Sequence, residues 1–180
     1  MTIRALAPLL AFLAAPAFAA LPASAADPPL PAFPGALGYG AHAPGGRGGD
    51  VYHVTTLADA GPGSFRDAVS KSHRTILFDV GGNIQLHSIV PTASDLTIAG
   101  QTAPGEGVCL QNYEVSFSGQ SNIIIRFLRF REGLTPKQNK KYTLGMGQAH
   151  NIILDHCSIE WGRWDCIGMS KSSDITLQFC

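Results

Sequence analysis

Four times along the chain an Asn or Asp is followed by three residues that are mostly apolar and β-branched. These are "DLTI" from Asp95, "NIII" from Asn122, "NIIL" from Asn151 and "DITL" from Asp174. Their starts lie 27, 29 and 23 residues apart. Shorter apolar pieces fall between them: "GVCL" at 107–110, "YEVSF" at 113–117, "TLGM" at 143–146 and "CIGM" at 166–169. Gly, Ser, Asn or Lys bounds each piece, as expected at strand ends. At a rise of about 3.3 Å per residue, a period near 26 suits a coil of two or three short strands. Stacked coils bury the apolar positions of each turn on those of the next, so the pattern predicts a solenoid, a parallel β-helix. An antiparallel sandwich fits less well, because the pieces are unequal and hairpin dipeptides are few.

The repeat also predicts register. Segments 95–99, 122–130, 151–159 and 174–179 should stack in parallel. The leading Asn or Asp should stand at a bend, bonding nearby backbone, with successive amides one above another. Cys157 and Cys180 sit at the same offset from Asn151 and Asp174. They should be neighbouring inward thiols on adjacent coils, about 4.8 Å apart. A disulfide is less expected, since in-register parallel neighbours point the same way and bridge with strain.

Ahead of the repeats, "GPGSFRDAVSKS" predicts a short helix. Ser64 can cap it, Asp67 follows three residues on, and Phe65, Ala68 and Val69 share one face. Such a helix would cover the open end of the solenoid, whose unpaired edge invites aggregation. The preceding "PPLPAFPGALGYGAHAPGGRGG" should be irregular, as an Ω-like ordered loop or as a linker. Arg4, the apolar "ALAPLLAFLAAPAFAA" and Ala23-Ser24-Ala25 read as a secretory signal cleaved near Ala25. Pro8 and Pro16 interrupt a run already below the roughly 18–20 residues of a membrane span. The expected organisation is a signal peptide at 1–25, a Pro/Gly-rich segment at 26–63, and the helix with the first coils at 64–180. The mature chain should be secreted or periplasmic, with no membrane association after cleavage.

About 155 residues then remain, enough for one domain with a core. With 20 glycines and 14% charged residues, the composition suits strands and turns. The 13 basic and 13 acidic residues balance, which removes the basic footprint of a nucleic-acid binder. Four cysteines in an exported chain permit disulfides without requiring them. "GYGAHAPGGRGG" opens no helix and lacks a Gly-Lys-Ser/Thr ending, so it is not read as a phosphate loop.

Several blocks in order, "AFPGALGYGAHAPGGRGGDVYHVTTLADAGPGSFRDAV", "RTILFDVGG", "LTIAGQTAPGEGV", "NIIIRFLRFREG" and "NIILDHCSIEWG", resemble those of pectate lyase-like proteins of polysaccharide lyase family one. The resemblance runs from about Ala32 to Cys180. It implies a right-handed parallel β-helix that acts on an acidic polysaccharide, pectate or a related polyuronate, by calcium-assisted β-elimination; a monomer is expected. In that reaction a base takes the proton at C5 beside the uronate carboxylate, and the 4-linked sugar leaves. A cation makes the proton more acidic by neutralising the carboxylate. Calcium suits that role because it accepts several carboxylate oxygens in loose geometry.

The family's calcium-ligand positions fall on Tyr142, Asp165 and Met169, so Asp165 is the metal ligand expected here. The resemblance assigns no catalytic residue within this chain, because the family's base arginine and its assisting lysine lie on later turns. Asp155 and His156 match the family's "DH" pair, which is chiefly structural and should brace one turn. Arg126, Arg129 and Arg131 are candidates to meet a polyuronate, although paired or solvated arginines are the simpler reading. Trp161 and Trp164 could stack on sugars or on neighbouring side chains. Lys171 alone carries no catalytic signal. The end in "DITLQFC", an apolar strand, reads as a truncated form of a longer lyase. A non-catalytic carbohydrate-binding or adhesin-like β-helix is the alternative.

Overall fold

The computed structural model describes residues 29–133 and 142–180. The leader at 1–25 lies outside the described residues. Among the described residues no helix is long and apolar enough to cross a membrane.

Three parallel sheets wrap one core. The largest has six strands, in spatial order Asp50–Val54, Arg74–Phe78, Leu96–Ala99, Ser121–Arg126, His150–Asp155 and Ser173–Gln178. A second contains Gly82–Gln85, Val108–Gln111, Leu128–Arg131 and Ser158–Glu160. A third contains the two-residue strands Val90–Pro91, Val115–Ser116, Leu144–Gly145 and Ile167–Gly168. Every pairing is parallel, and each coil contributes successively to the sheets. The predicted parallel β-helix is therefore the fold.

Register follows the repeat. Leu96, Ile123, Ile152 and Ile175 form one inward column, and Ile98, Ile125, Leu154 and Leu177 another. Through the coil of His150–Asp155 these inward residues are fully buried. Asp95, Asn122, Asn151 and Asp174 stand at the bends with φ of 57°, 62°, 52° and 56°. Asn and Asp tolerate this left-handed region better than most residues. The amides do stack: Asn122 Nδ2 donates to Asp95 Oδ1 at 2.8 Å, and Asn151 Nδ2 to Asn122 Oδ1 at 3.0 Å.

Two expected strands are each divided. The run 122–130 breaks at Phe127 (φ 55°) and 151–159 breaks at His156 (φ 52°). Each left-handed residue turns the chain from the six-stranded sheet into the second sheet. The apolar run continues through the corner because both sheets face the same core. Phe127 and His156 stack at 4.7 Å, and His156 and Phe179 lie at 5.0 Å, so the corner carries an aromatic column.

The helix forms as Phe65–Ala68, with Ser64 Oγ accepting from the Asp67 N–H at 3.2 Å. Phe65, Ala68 and Val69 are buried in the core, where Phe65 stacks on Phe78. The strand Asp50–Val54 lies ahead of the helix and already belongs to the six-stranded sheet. Of the two forms considered for the Pro/Gly-rich segment, the ordered loop is observed. It crosses the outer face of that sheet and shields Ile124 and Ile153 with Ala32, Phe33 and Ala43. Gly40 and Gly46 permit the approach: a Cβ on either would collide with the carbonyl oxygens of Ile152 and Arg74 respectively.

Candidate functional site

The "DH" pair lies at the end of a strand, on the outer face and beneath the N-terminal arm. Asp155 is fully buried. Its Oδ2 accepts from Arg126 Nε at 2.7 Å; its Oδ1 accepts from Gln178 Nε2 at 2.7 Å and pairs with His156 Nδ1 at 2.9 Å. Burial pushes the Asp155 carboxyl upward, but hydrogen bonds from Gln178, Arg126 and His156 and the Arg126 charge outweigh it, leaving the pKa lowered. The Arg126 guanidinium also lies 4.1 Å above the Phe33 ring. All four polar groups are consumed in bracing three coils and the arm. As expected, the pair is scaffolding.

Asp165 is exposed, and the carbonyl of its own main chain accepts from the Thr143 N–H at 3.3 Å. Its carboxylate has no hydrogen-bond partner among the described residues. Tyr142 stacks on Trp164 at 5.8 Å and its ring covers Gly168, while Met169 is half exposed. Calcium needs about six to eight oxygen donors. One exposed carboxylate beside a phenol ring and a thioether does not fit that demand. No three His, Cys, Asp or Glu side chains converge as a metal cage among the described residues.

Two acids not singled out from the sequence lie close to this region. Glu114 is buried and lines a cavity of about 280 Å³ together with Tyr142, Gly145, Gly168 and Met169. Glu132 is fully buried; its Oε2 accepts from the Arg163 N–H at 2.9 Å, and its Oε1 has no hydrogen-bond partner among the described residues. Burial raises the Glu132 pKa above the usual carboxylate range, and the Glu114 charge raises it further, against the lowering effect of Arg163. The signal that could have revealed them is an acid within an apolar run, in "YEVSF" and "RFREG".

The arginines divide. Arg126 belongs to the Asp155 cluster. Arg131 pairs with Glu160 at 3.0 Å and donates to Ser158 Oγ at 2.8 Å. Arg129 lines a groove of about 440 Å³ with Phe127, His156, Glu106 and Ser158. Both tryptophans are exposed; Trp161 lies under Arg131 and Trp164 on Tyr142. Lys171 lines a separate groove with Tyr39 and Asp174. Cys157 and Cys180 are free and lie on adjacent coils, each two residues past the paired Asp155 and Gln178, as their shared offset predicts; Cys157 is buried, whereas Cys180 is exposed rather than inward. Nothing among the described residues pairs a base with a cation site across a space for a sugar.

The class defined by these features is the parallel β-helix, with its polar clusters spent mainly on the scaffold. No family model matches the chain. It is 44% identical over 150 residues to "Probable pectate lyase C" of Emericella nidulans, an alignment covering 83% of this chain and 35% of that protein. A protein of the same name from Aspergillus fumigatus is 43% identical, with 83% and 36% covered. The crystal structure of Jun a 1, the major allergen from cedar pollen, superposes with a TM-score of 0.65 at 25% identity, covering 79% of this chain and 47% of that one. The chain is therefore similar to pectate lyases over most of its own length. It spans about a third of the length of the two fungal relatives.

Proposed function

We propose that the protein is an exported lyase cleaving polygalacturonate by β-elimination. A base removes the C5 proton, the C–H electron pair becomes the C4–C5 double bond, and the 4-linked sugar leaves with the glycosidic oxygen, which is then protonated. The similarity to proteins named pectate lyase, extending over 83% of this chain, is the observation that carries this reading. Calcium assistance belongs to the proposal, with Asp165 as a weak ligand at most. The Tyr142 ring and the Met169 thioether beside Asp165 are poor donors for such an ion.

These 180 residues are proposed to be inactive by themselves. Elimination needs a base and an electrophile held on opposite sides of C5, and positioning supplies a large share of the rate. Arg126 and Arg131 are already tied to Asp155 and Glu160, so neither is poised as a base. That same observation favours a second reading of this segment, a carbohydrate-binding scaffold without turnover. The test is ultraviolet detection of unsaturated uronides from polygalacturonate with added calcium, run on this chain and on a full-length form side by side. Activity in the longer protein alone is expected. Activity in neither overturns the lyase reading, and turnover by this chain alone overturns its inactivity.

A further inference from the structure

We infer, on the substrate class proposed above, that the groove beside Arg129 is a binding site for a uronate residue of an acidic polysaccharide. The chief observation is Arg129 itself. It stands half-buried on the outer face of the second sheet, between Cys109 on the coil before and Ser158 on the coil after. Neither neighbour offers it a carboxylate. Arg126 and Arg131, on the same coil, are tied to Asp155 and Glu160. Among the described residues the Arg129 guanidinium has no hydrogen bond and no ion pair. Its donors, arranged as a fork that matches a carboxylate, are left for a ligand.

The rest of the groove supplies what a sugar needs. Its far wall is the turn that begins at Gly100 on the preceding coil. A Cβ on Gly100 would collide with the carbonyl oxygens of Arg126 and Phe127, so the turn is seated directly against the corner. The space enclosed, about 440 Å³, falls within the roughly 300–1,000 Å³ usual for ligand sites. The aromatic column ends here, because Gly100 brings no ring to the corner. Phe127 stays 39% exposed although His156 and Arg126 lie against its ring, and it gives a pyranose an apolar surface. His156 gives Nδ1 to Asp155, which leaves Nε2 of the neutral ring to accept from a hydroxyl. Glu106, exposed on the rim, accepts from further hydroxyls, and solvent screens its charge from the bound carboxylate. One fork for a carboxylate, two acceptors for hydroxyls and an apolar ring match a uronic acid. A nucleic acid fits less well, since it presents phosphates in series to a single free cation beside an acid. The groove shares no lining residue with the cavity at Glu114 and Tyr142.

The test is a heteronuclear NMR titration of this chain with trigalacturonate, chelator present, so that neither turnover nor calcium is needed. Saturable shifts are expected at the Gly105 and Gly107 amides and at the Arg129 Nε–H. Arg129→Ala should weaken binding by about tenfold or more, and so should methyl esterification of every carboxylate in the trimer. Lys171→Ala removes a cation from a separate groove and should leave the Kd unchanged. Absence of saturable shifts in the groove overturns the inference, as does full affinity in Arg129→Ala. Equal affinity for the esterified trimer also overturns it, and that comparison uses the parent protein, so it decides the matter even if Arg129→Ala fails to fold. An equal loss in Lys171→Ala would reduce the attraction to diffuse surface charge and overturn the site as well. Binding that depends on Arg129, with no turnover by the longer protein, sinks the lyase reading alone; turnover without such binding sinks this site alone.

Discussion

Arg126 and Asp155 meet across adjacent coils, with Arg126 Nη2 2.6 Å and Nε 2.7 Å from the same carboxylate oxygen. The parallel register places them directly opposite one another. Asp155 is also bonded to Gln178 on the next coil, and Gln178 Oε1 accepts from the Leu37 N–H of the arm at 3.0 Å. One carboxylate thereby links three coils and the arm that covers them.

Asp155→Ala should be strongly destabilising, by about 3–5 kcal/mol, because it strands the partly buried Arg126 charge. Urea unfolding measures it. Asp155 is held below the ordinary carboxylate pKa, so its contribution is fully present above the unfolded value of about 3.9. It is lost as the pH falls through the lowered native value. The parent should therefore lose stability steeply below about pH 4, and Asp155→Asn should show a shallower acid limb.

Asn151 combines a left-handed backbone with a stacked amide. Asn151→Ala should cost about 1–2 kcal/mol, from φ strain and the lost bond to Asn122. Asn151→Gly relieves the strain and keeps only the second loss, so its thermal midpoint should fall between those of Asn151→Ala and the parent. Equal midpoints for the two variants would count against a backbone contribution.

Gly46→Ala should lift the arm, since the added Cβ meets the Arg74 carbonyl oxygen and backbone cannot move aside cheaply. Exposure of Ile124 and Ile153 follows. Limited proteolysis should then cut within 30–48 faster than in the parent, with the β-helix left intact. An unchanged cleavage rate would mean the arm is held elsewhere.

The thiol pair predicts selective chemistry. The Cys157 thiol is raised by its bond to Cys180 and by burial. Cys180 accepts that bond and is lowered, with partial exposure. Alkylation near neutral pH, followed by peptide mass spectrometry, should modify Cys180 well before Cys157, because thiolate and access both favour it. Cys157→Ala, which removes the donor, should slow the reaction at Cys180 by raising its pKa toward the ordinary thiol value.

The coil was legible in the sequence because a solenoid repeats the same burial problem on every turn. Asn or Asp at a left-handed bend, followed by alternating inward β-branched residues, satisfies it each time, so the ladder from Asp95 to Asp174 and the stacking of Cys157 on Cys180 could be read from spacing. The helix was equally readable, since Ser64 and Asp67 act within one turn. Local physics also marks Asp155 as an acid inside an apolar strand. Only the tertiary structure decided that its partners would be Arg126 from the coil before and Gln178 from the coil after. The corners at Phe127 and His156 were hidden because hydrophobicity does not change where the chain turns around a shared core. The arm's path was hidden too: glycine spacing shows freedom, not which carbonyl it will approach. Glu132 is the sharpest case, because a sequence shows that an acid is present, whereas its burial and its unpaired oxygen depend on coils and loops far from it along the chain.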